Sequence, residues 1–387
     1  MPDTTYAKGL EGVIAAESTI CQIDGANGRL YYRGYPIEDL ARHSNFEETT
    51  YLLLNERLPS KEELEEFAGR MRGSRVLREP VQDMIRHFPE AGSPMELLQS
   101  VIAYLSSTVE HVIRHSTTCN CRQTLHQVAQ MLPVLATYQR FKEGKAYLES
   151  REDLSDGANF LYLLRGEEPS AEEGRIMDVC LVLHAEHGFN ASTFTARVVA
   201  STYSTCYCSI SAAIGALAGF LHGGANERVM DTVDEIGSAE NIGPWLDRVL
   251  AAHEKVMGMG HRVYKADDPR AIIMEQLLQE LSDEKGDHRL HDFLKKVEEE
   301  FRTRMEGKPL YPNVDFYSGA VYTLLGIPRY LFTPIFAAAR SPGWLAHILE
   351  QRKDNKLYRP KALYAGPEPR RYVPIEERAE TMSAVAT

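Results

Sequence analysis

Apolar residues recur along this chain at three- and four-residue spacing, and that period limits the fold more than any other feature. Ile176, Val179, Cys180, Leu183 and His187 fall on one helical face. Leu246, Val249, Leu250, His253, Val256 and Met257 repeat the pattern. Asp268-Pro269 reads as an N-cap followed by proline at the first helical position, and Ile272, Ile273, Leu277 and Leu278 continue that helix. Another helix starts near Asp315 and stops at Gly326 and Pro328. Strand signals are few: Gly12 to Ile20, with Arg29 to Tyr35 able to pair with it. No strand–helix alternation appears, so a parallel sheet does not fit. The expectation is a mainly α-helical protein, and 387 residues favour two or three domains.

Composition narrows the function. Charged residues make up 25% and hydrophobic ones 43%, a soluble globular profile. The net charge of -12 argues against a nucleic-acid binder. The longest apolar run, near Ala212 to Leu221, is too short to span a membrane. The N-terminal residues show neither an apolar signal core nor an Arg-rich amphipathic stretch, so the expected location is the cytoplasm. Six cysteines are too sparse for a disulfide framework. Four of them form two Cys-x-Cys pairs, Cys119/Cys121 and Cys206/Cys208, which read as reduced thiols rather than as a metal site.

Three short segments carry the chemistry. Leu221-His222-Gly223-Gly224-Ala225-Asn226 and Gly258-Met259-Gly260-His261-Arg262-Val263-Tyr264-Lys265 each set a histidine beside glycines at a turn. Asn313-Val314-Asp315-Phe316-Tyr317-Ser318-Gly319 adds a carboxylate. Glycine lets backbone and ligand approach closely, and imidazoles with a carboxylate suit proton movement. Each residue also has a plainer reading. Asp315 before an apolar run is often just a helix cap. His187, in Glu186-His187-Gly188, is more often a core or surface histidine. Arg270, Arg340 and Arg359 are candidates for carboxylate capture, though most arginines are solvated surface charges. Arg262, Lys265 and Lys361 form a candidate phosphate patch or an ordinary charged face.

Together these segments resemble the three active-site motifs of the citrate synthase family. The resemblance covers nearly the whole chain. Tyr32-Arg33-Gly34-Tyr35-Pro36 resembles the family's N-terminal region, and Gly343-Trp344-Leu345-Ala346-His347 with Arg359-Pro360-Lys361-Ala362 its C-terminal region. It implies a two-domain helical fold, with residues 1–223 plus 327–387 as the large domain and 224–326 as a smaller closing domain. It implies an acyltransferase of the tricarboxylic acid cycle that condenses acetyl-CoA with oxaloacetate and water to citrate and CoA. Asp315 would take the methyl proton, His222 would hydrogen-bond the thioester oxygen, and His261 would act on the ketone. His187, Arg270 and Arg340 would hold oxaloacetate, with Arg359 supplied by the partner of a homodimer; higher assemblies stay open. Arg262, Val263, Lys265 and Asn313 would contact CoA. No cofactor or metal is implied.

Phe220, Met259 and Thr205-Cys206-Tyr207 depart from the family's usual residues; none is a proposed catalytic group. Three alternatives remain at this stage. A 2-methylcitrate synthase using propionyl-CoA would share every motif, since one methylene is worth only about 1–3 kcal/mol of discrimination. A metal-dependent hydrolase on His222, His261 and Asp315 lacks the i, i+4 spacing of helical metal ligands. A non-catalytic helical scaffold leaves the glycine-flanked histidines unexplained.

Overall fold

A computed structural model describes residues 6–108 and 121–380. The described residues form sixteen α-helices and one antiparallel sheet of three strands in chain order. The chain falls into two units: Ser18–Leu357, and Met1–Glu17 together with Tyr358–Thr387. The terminal unit holds the short 3-10 turns Lys8–Leu10 and Ile375–Glu380, and Tyr358 donates to the Ala15 carbonyl within it. No helix among the described residues is long and apolar enough to cross a membrane.

The helices of the main unit start where the sequence supplies an acceptor for their free N–H groups. Ser170 and Glu173 make a reciprocal capping box at Ala171–His184. Asn190 caps Ala191–Ser201 and Thr205 caps Cys206–Leu217. At the centre lies Phe332–Lys353, buried on nearly every side, as expected of a helix that is apolar all round. At Gly343 it touches the loop after Ala171–His184, where an added Cβ would lie 2.3 Å from the Ala185 carbonyl oxygen.

The sheet corrects the expected strands. Gly12 to Ile20 contains no strand; Val13 and Ile14 are both exposed, so the segment has no buried face to alternate. Strand β1 is Cys21–Asp24, paired with β2, Arg29–Tyr32, in the register Cys21 to Tyr32. The expected second strand splits, because Arg33 and Gly34 both take positive φ and turn the chain into β3, Tyr35–Pro36.

Two helices end earlier than their apolar pattern. Ala171–His184 stops before His187, since the Gly188 N–H bonds to the Glu186 carboxylate and Asn190 opens the next helix. Ile242–Ala251 stops before His253, Val256 and Met257. His253 turns left-handed there, and Glu254 N–H closes on the Val249 carbonyl at 3.0 Å. The Asp268-Pro269 start is as expected: Asp268 caps Pro269–Lys285. The final expected helix is Val314–Leu324, and its cap is Asn313 rather than Asp315.

Candidate active site

Because Asn313 takes the capping role, Asp315 sits inside the first turn with its carboxylate free. Asn313 Oδ1 accepts from Asp315 N–H at 3.0 Å, and Asn313 Nδ2 donates to the Gly260 carbonyl at 2.9 Å. Backbone bonds complete the link: Asn313 N–H to Gly258 O at 2.9 Å and Gly260 N–H to Tyr311 O at 2.7 Å. Gly258 has φ +77° and its missing Cβ leaves room for Phe316 at 2.9 Å. The turn that carries His261 is thus zipped to the segment that carries Asp315. Among the described residues no hydrogen bond reaches the Asp315 carboxylate. Burial pushes its pKa up to about 6, Arg270 opposes this, and Asp268 adds to it.

His222 lies between Cys206–Leu217 and Ala225–Ile236, on a turn where Gly223 packs so closely that a Cβ would meet the Leu217 carbonyl. Ser192 N–H points at His222 Nε2 from 3.2 Å. A backbone N–H cannot rotate away, so Nε2 is an acceptor and the ring proton belongs on Nδ1. The Ser192 hydroxyl lies 2.9 Å from the same Nε2, 2.8 Å from Asn190 Oδ1 and 3.2 Å from the Trp344 Nε1 that donates to it. Burial, then the Arg340 charge, hold the His222 pKa down at about 4. The ring is neutral near pH 7 and offers one N–H.

His261 reaches the same state through its other nitrogen. Nδ1 accepts from Val263 N–H at 3.0 Å and Tyr264 N–H at 3.2 Å, which leaves the proton on Nε2. Burial and then Arg270 lower its pKa to about 4. His187 packs edge-on against it, ring centroids 5.2 Å apart, and His187 Nε2 lies 3.2 Å from the Tyr264 hydroxyl. Burial and the neighbouring Arg270 keep His187 neutral as well.

Arg270 and Arg340 are almost wholly buried, each 2% exposed. Arg270 is held by Asp268 through two side-chain bonds, 3.0 and 2.7 Å. Arg340 donates from Nε to the His184 carbonyl at 2.6 Å and stacks on Phe336. No carboxylate among the described residues pairs with Arg340. Its charge acts on His187, His222 and Asp315 alike, which places the four groups in one electrostatic neighbourhood. Burial disfavours the Arg340 charge, and the Glu186 carboxylate offsets this only through space, so a bound anion would find an open partner there.

The remaining candidates are exposed or are used to hold the turn. Arg262, Val263 and Lys265 are exposed on the His261 loop. Asn313 spends its whole amide on the turn described above. Arg359 and Lys361 belong to the terminal unit and are exposed. Cys206 is buried and Cys208 exposed at the start of their helix; Cys119 lies outside the described residues. Phe220 is exposed, with the Arg228 guanidinium 4.6 Å above its ring. Met259 bridges to Pro312. Sequence reasoning missed Ser192, Asn190, Trp344 and Tyr264. Only Asn190, directly before Ala191–Ser201, carries a local signal as a helix cap.

Comparisons with known proteins point to one family. The profile of the citrate synthase C-terminal domain matches residues 9–361. A citrate synthase of Acidithiobacillus ferridurans is 42% identical, covering 98% of this chain and 100% of its own. Citrate synthase 2 of Bacillus subtilis is 44% identical, covering 97% and 100%. The structure of the Thermoplasma acidophilum citrate synthase, a ternary complex with carboxymethyl coenzyme A and oxaloacetate, superposes with a TM-score of 0.90 at 32% identity, over 97% of this chain and 100% of that one. With the family profile spanning most of its length and near-full-length relatives above 40% identity, this chain belongs to the citrate synthase family.

Proposed function

We propose that the protein condenses acetyl-CoA with oxaloacetate and water, giving citrate and free CoA. One observation carries this reading. Two neutral imidazoles, each with one nitrogen fixed as an acceptor and one N–H left to donate, share a neighbourhood with an unbonded carboxylate and an unpaired buried arginine. That set suits carbon–carbon bond formation next to a thioester.

Oxaloacetate binds first to the positive side of the site. Arg340 takes one carboxylate, and the part of Arg270 not held by Asp268 takes the other. His187, neutral and buried, hydrogen-bonds the same substrate. Acetyl-CoA then places its methyl group against Asp315. A thioester α-proton is far too weakly acidic for a free carboxylate alone, so the donor on the developing enolate oxygen is essential. His222 Nδ1–H supplies it. A neutral imidazole suits this role, because the enolate gains a hydrogen bond without a proton being lost to a stronger base. The Asp315 pKa near 6 makes it a better proton acceptor than an ordinary carboxylate while it stays ionised at pH 7.

The enol carbon attacks the oxaloacetate ketone, and charge builds on that oxygen. His261 Nε2–H lies ready to donate there. Water then cleaves the citryl thioester and releases CoA. Arg262, Val263 and Lys265 line the exposed CoA side, and Asn313 contributes by holding the His261 turn against Asp315. Residues 224–326 act as the closing domain that keeps water out until the new bond has formed. No metal or cofactor enters any step.

The reading is tested by thiol release from a panel of acyl-CoAs with oxaloacetate. Acetyl-CoA should give the highest kcat/KM; a preference for propionyl-CoA would move the assignment to 2-methylcitrate. Arg359 we place in the partner's site of a homodimer. Mixing the inactive variants Asp315→Asn and Arg359→Leu should then restore activity through hybrid dimers with one intact site. Verified subunit exchange without recovery rejects the shared site.

A further inference from the structure

Three fully buried side chains behind Asp315 hold polar atoms that meet no partner among the described residues: His184 Nε2, Ser318 Oγ and Tyr322 Oη. Buried polar atoms are nearly always satisfied, so such a group needs a reason. Their placement supplies one. Asp315, Ser318 and Tyr322 stand at i, i+3 and i+7 on Val314–Leu324 and so share one helix face. Long helical side chains lean toward the helix N-terminus, which carries the Tyr322 hydroxyl over Ser318 toward the turn of Asp315. The His184 ring lies across from Tyr322, centroids 6.5 Å apart, and the two polar atoms do not bond each other.

The donor and acceptor inventory is complementary. His184 Nδ1 faces the Cys180 carbonyl at 2.7 Å and must carry the ring proton, which leaves Nε2 as a bare acceptor. Burial keeps this ring neutral at any working pH, its pKa held down at about 3. Ser318 makes no bond back to the helix carbonyl one turn earlier, as helical serines otherwise do, so its proton is uncommitted. Tyr322 has a free donor on a hydroxyl whose ionisation is opposed by burial and then by Cys180 and Asp315. Two free donors share a helix face with a carboxylate that accepts no hydrogen bond among the described residues, and one free acceptor lies on the ring facing Tyr322.

We propose that Ser318, Tyr322 and His184 hold one internal water whose second proton is donated to the Asp315 carboxylate, making Ser318 and Tyr322 positioning residues for the base. The proposal rests on the reading of Asp315 as that base. The water accepts from both hydroxyls and donates to His184 Nε2 and to Asp315, so all four of its positions are filled. It stabilises the ionised carboxylate from the side away from the substrate. Other charged groups also lie around this helix, and Arg340 and Arg228 act on Asp315 through space. Asp268 and Arg270 bind each other on Pro269–Lys285, and Arg340 serves from Phe332–Lys353. Arg228 bonds the Gly223 carbonyl, Arg329 pairs with Asp231, and Glu298 faces Tyr317 on another side of the helix.

The test compares the pH dependence of kcat in wild type, Tyr322→Phe, Ser318→Ala and Asp315→Glu, with a high-resolution crystal structure of the wild-type protein. Each of the first two variants deletes only a hydroxyl, and thermal melting confirms folding. Losing a bond to the charged form raises a carboxyl pKa. The acidic limb should therefore move up by roughly 0.5–1 pH unit in Tyr322→Phe and Ser318→Ala, so that turnover falls more near pH 6 than near pH 8.5. A merely structural hydroxyl would lower the melting temperature and leave the limb in place. Density for a water within hydrogen-bond reach of the three side chains and Asp315 supports the proposal; its absence overturns it. A limb that moves in Asp315→Glu but ignores both hydroxyl variants overturns the water alone. A limb that ignores Asp315→Glu overturns the base assignment and the water together.

Discussion

The turns at His222 and His261 reach one protonation state by opposite routes. His222 is fixed through Nε2 by the N–H of Ser192, thirty positions away in sequence. His261 is fixed through Nδ1 by Val263 and Tyr264, two and three positions ahead. Both rings sit near pKa 4 and are neutral donors at working pH, one through Nδ1 and the other through Nε2. The residue type and the glycine setting therefore do not decide which atom faces the substrate. The backbone N–H that meets the other nitrogen decides it. One of these is built by local chain geometry and the other only by the packing of two helices.

The largest expected effect comes from removing the base that both donors serve. Asp315→Asn should cut kcat by about 10²–10⁴ while calorimetry finds oxaloacetate affinity near wild type. Near-normal turnover would reject the base assignment. Stability should move the other way. The folded pKa of Asp315 is raised from 3.8 to about 6, so its ionisation lowers stability as pH rises through that window. Asp315→Asn should melt higher than wild type above about pH 6, with the gap closing below about pH 4. A lower melting temperature at neutral pH would contradict the burial argument.

The two histidine turns can be separated by amide substitutions. An asparagine amide falls near the Nδ1 position of histidine and a glutamine amide near Nε2. His222→Asn should then keep more activity than His222→Gln, and His261→Gln more than His261→Asn. The poorer member of each pair should lose about 10²–10³ in kcat, the worth of one transition-state donor. The same rank order at both positions would show that the two rings do not donate through different atoms.

That contrast also marks how far the sequence could be read. The helical class, the Asp268-Pro269 cap, the three motifs and their order follow from local pattern, since capping and periodicity act within a few residues. The His261 tautomer is local too and was within reach of the Gly-x-Gly-His pattern. The Ser192–His222 contact joins the start of one helix to a turn after the next, and no local signal encodes it. The apolar period runs on past His184 and so predicts His187 on a helix, whereas Glu186 holding Gly188 N–H and Asn190 opening the next helix end it first. Asp315 looked like a cap because the neighbouring Asn313, a better-placed acceptor, competes for the same N–H groups. That Arg340 makes no direct salt bridge among the described residues, while Glu186 acts on it through space, is a tertiary fact with no sequence mark at all.

Arg340 offers a smaller effect that bears on the substrate side of both turns. Arg340→Leu removes a buried charge that makes no direct salt bridge among the described residues, with Glu186 acting on it only through space. A charged hydrogen bond contributes about 1.5–3 kcal/mol, so the oxaloacetate Kd should rise at least about tenfold. Removing this charge also lifts one of the influences that depress the His222 pKa, but burial, the larger cause, remains, and His222 should stay neutral at pH 7. Calorimetry showing unchanged oxaloacetate affinity would reject the clamp, and so return Arg340 to a structural role.

Ser192→Ala should have the smallest effect on turnover, and it asks which part of Ser192 sets His222. The variant keeps the backbone N–H that meets Nε2 and removes only the hydroxyl. If the N–H fixes the tautomer, Nδ1 still carries the proton and kcat should fall by less than about tenfold, short of losing a whole transition-state donor. Stability should suffer more. Trp344, which is fully buried, loses the acceptor of its indole N–H, and an unsatisfied buried donor costs about 1–3 kcal/mol. The expected signature is a clear drop in melting temperature with modest loss of turnover. A fall in kcat as deep as that of the poorer His222 amide variant, in a protein that still melts cooperatively, would mean that the hydroxyl proton holds the ring. The two turns would then differ in the kind of donor they use as well as in its distance along the chain.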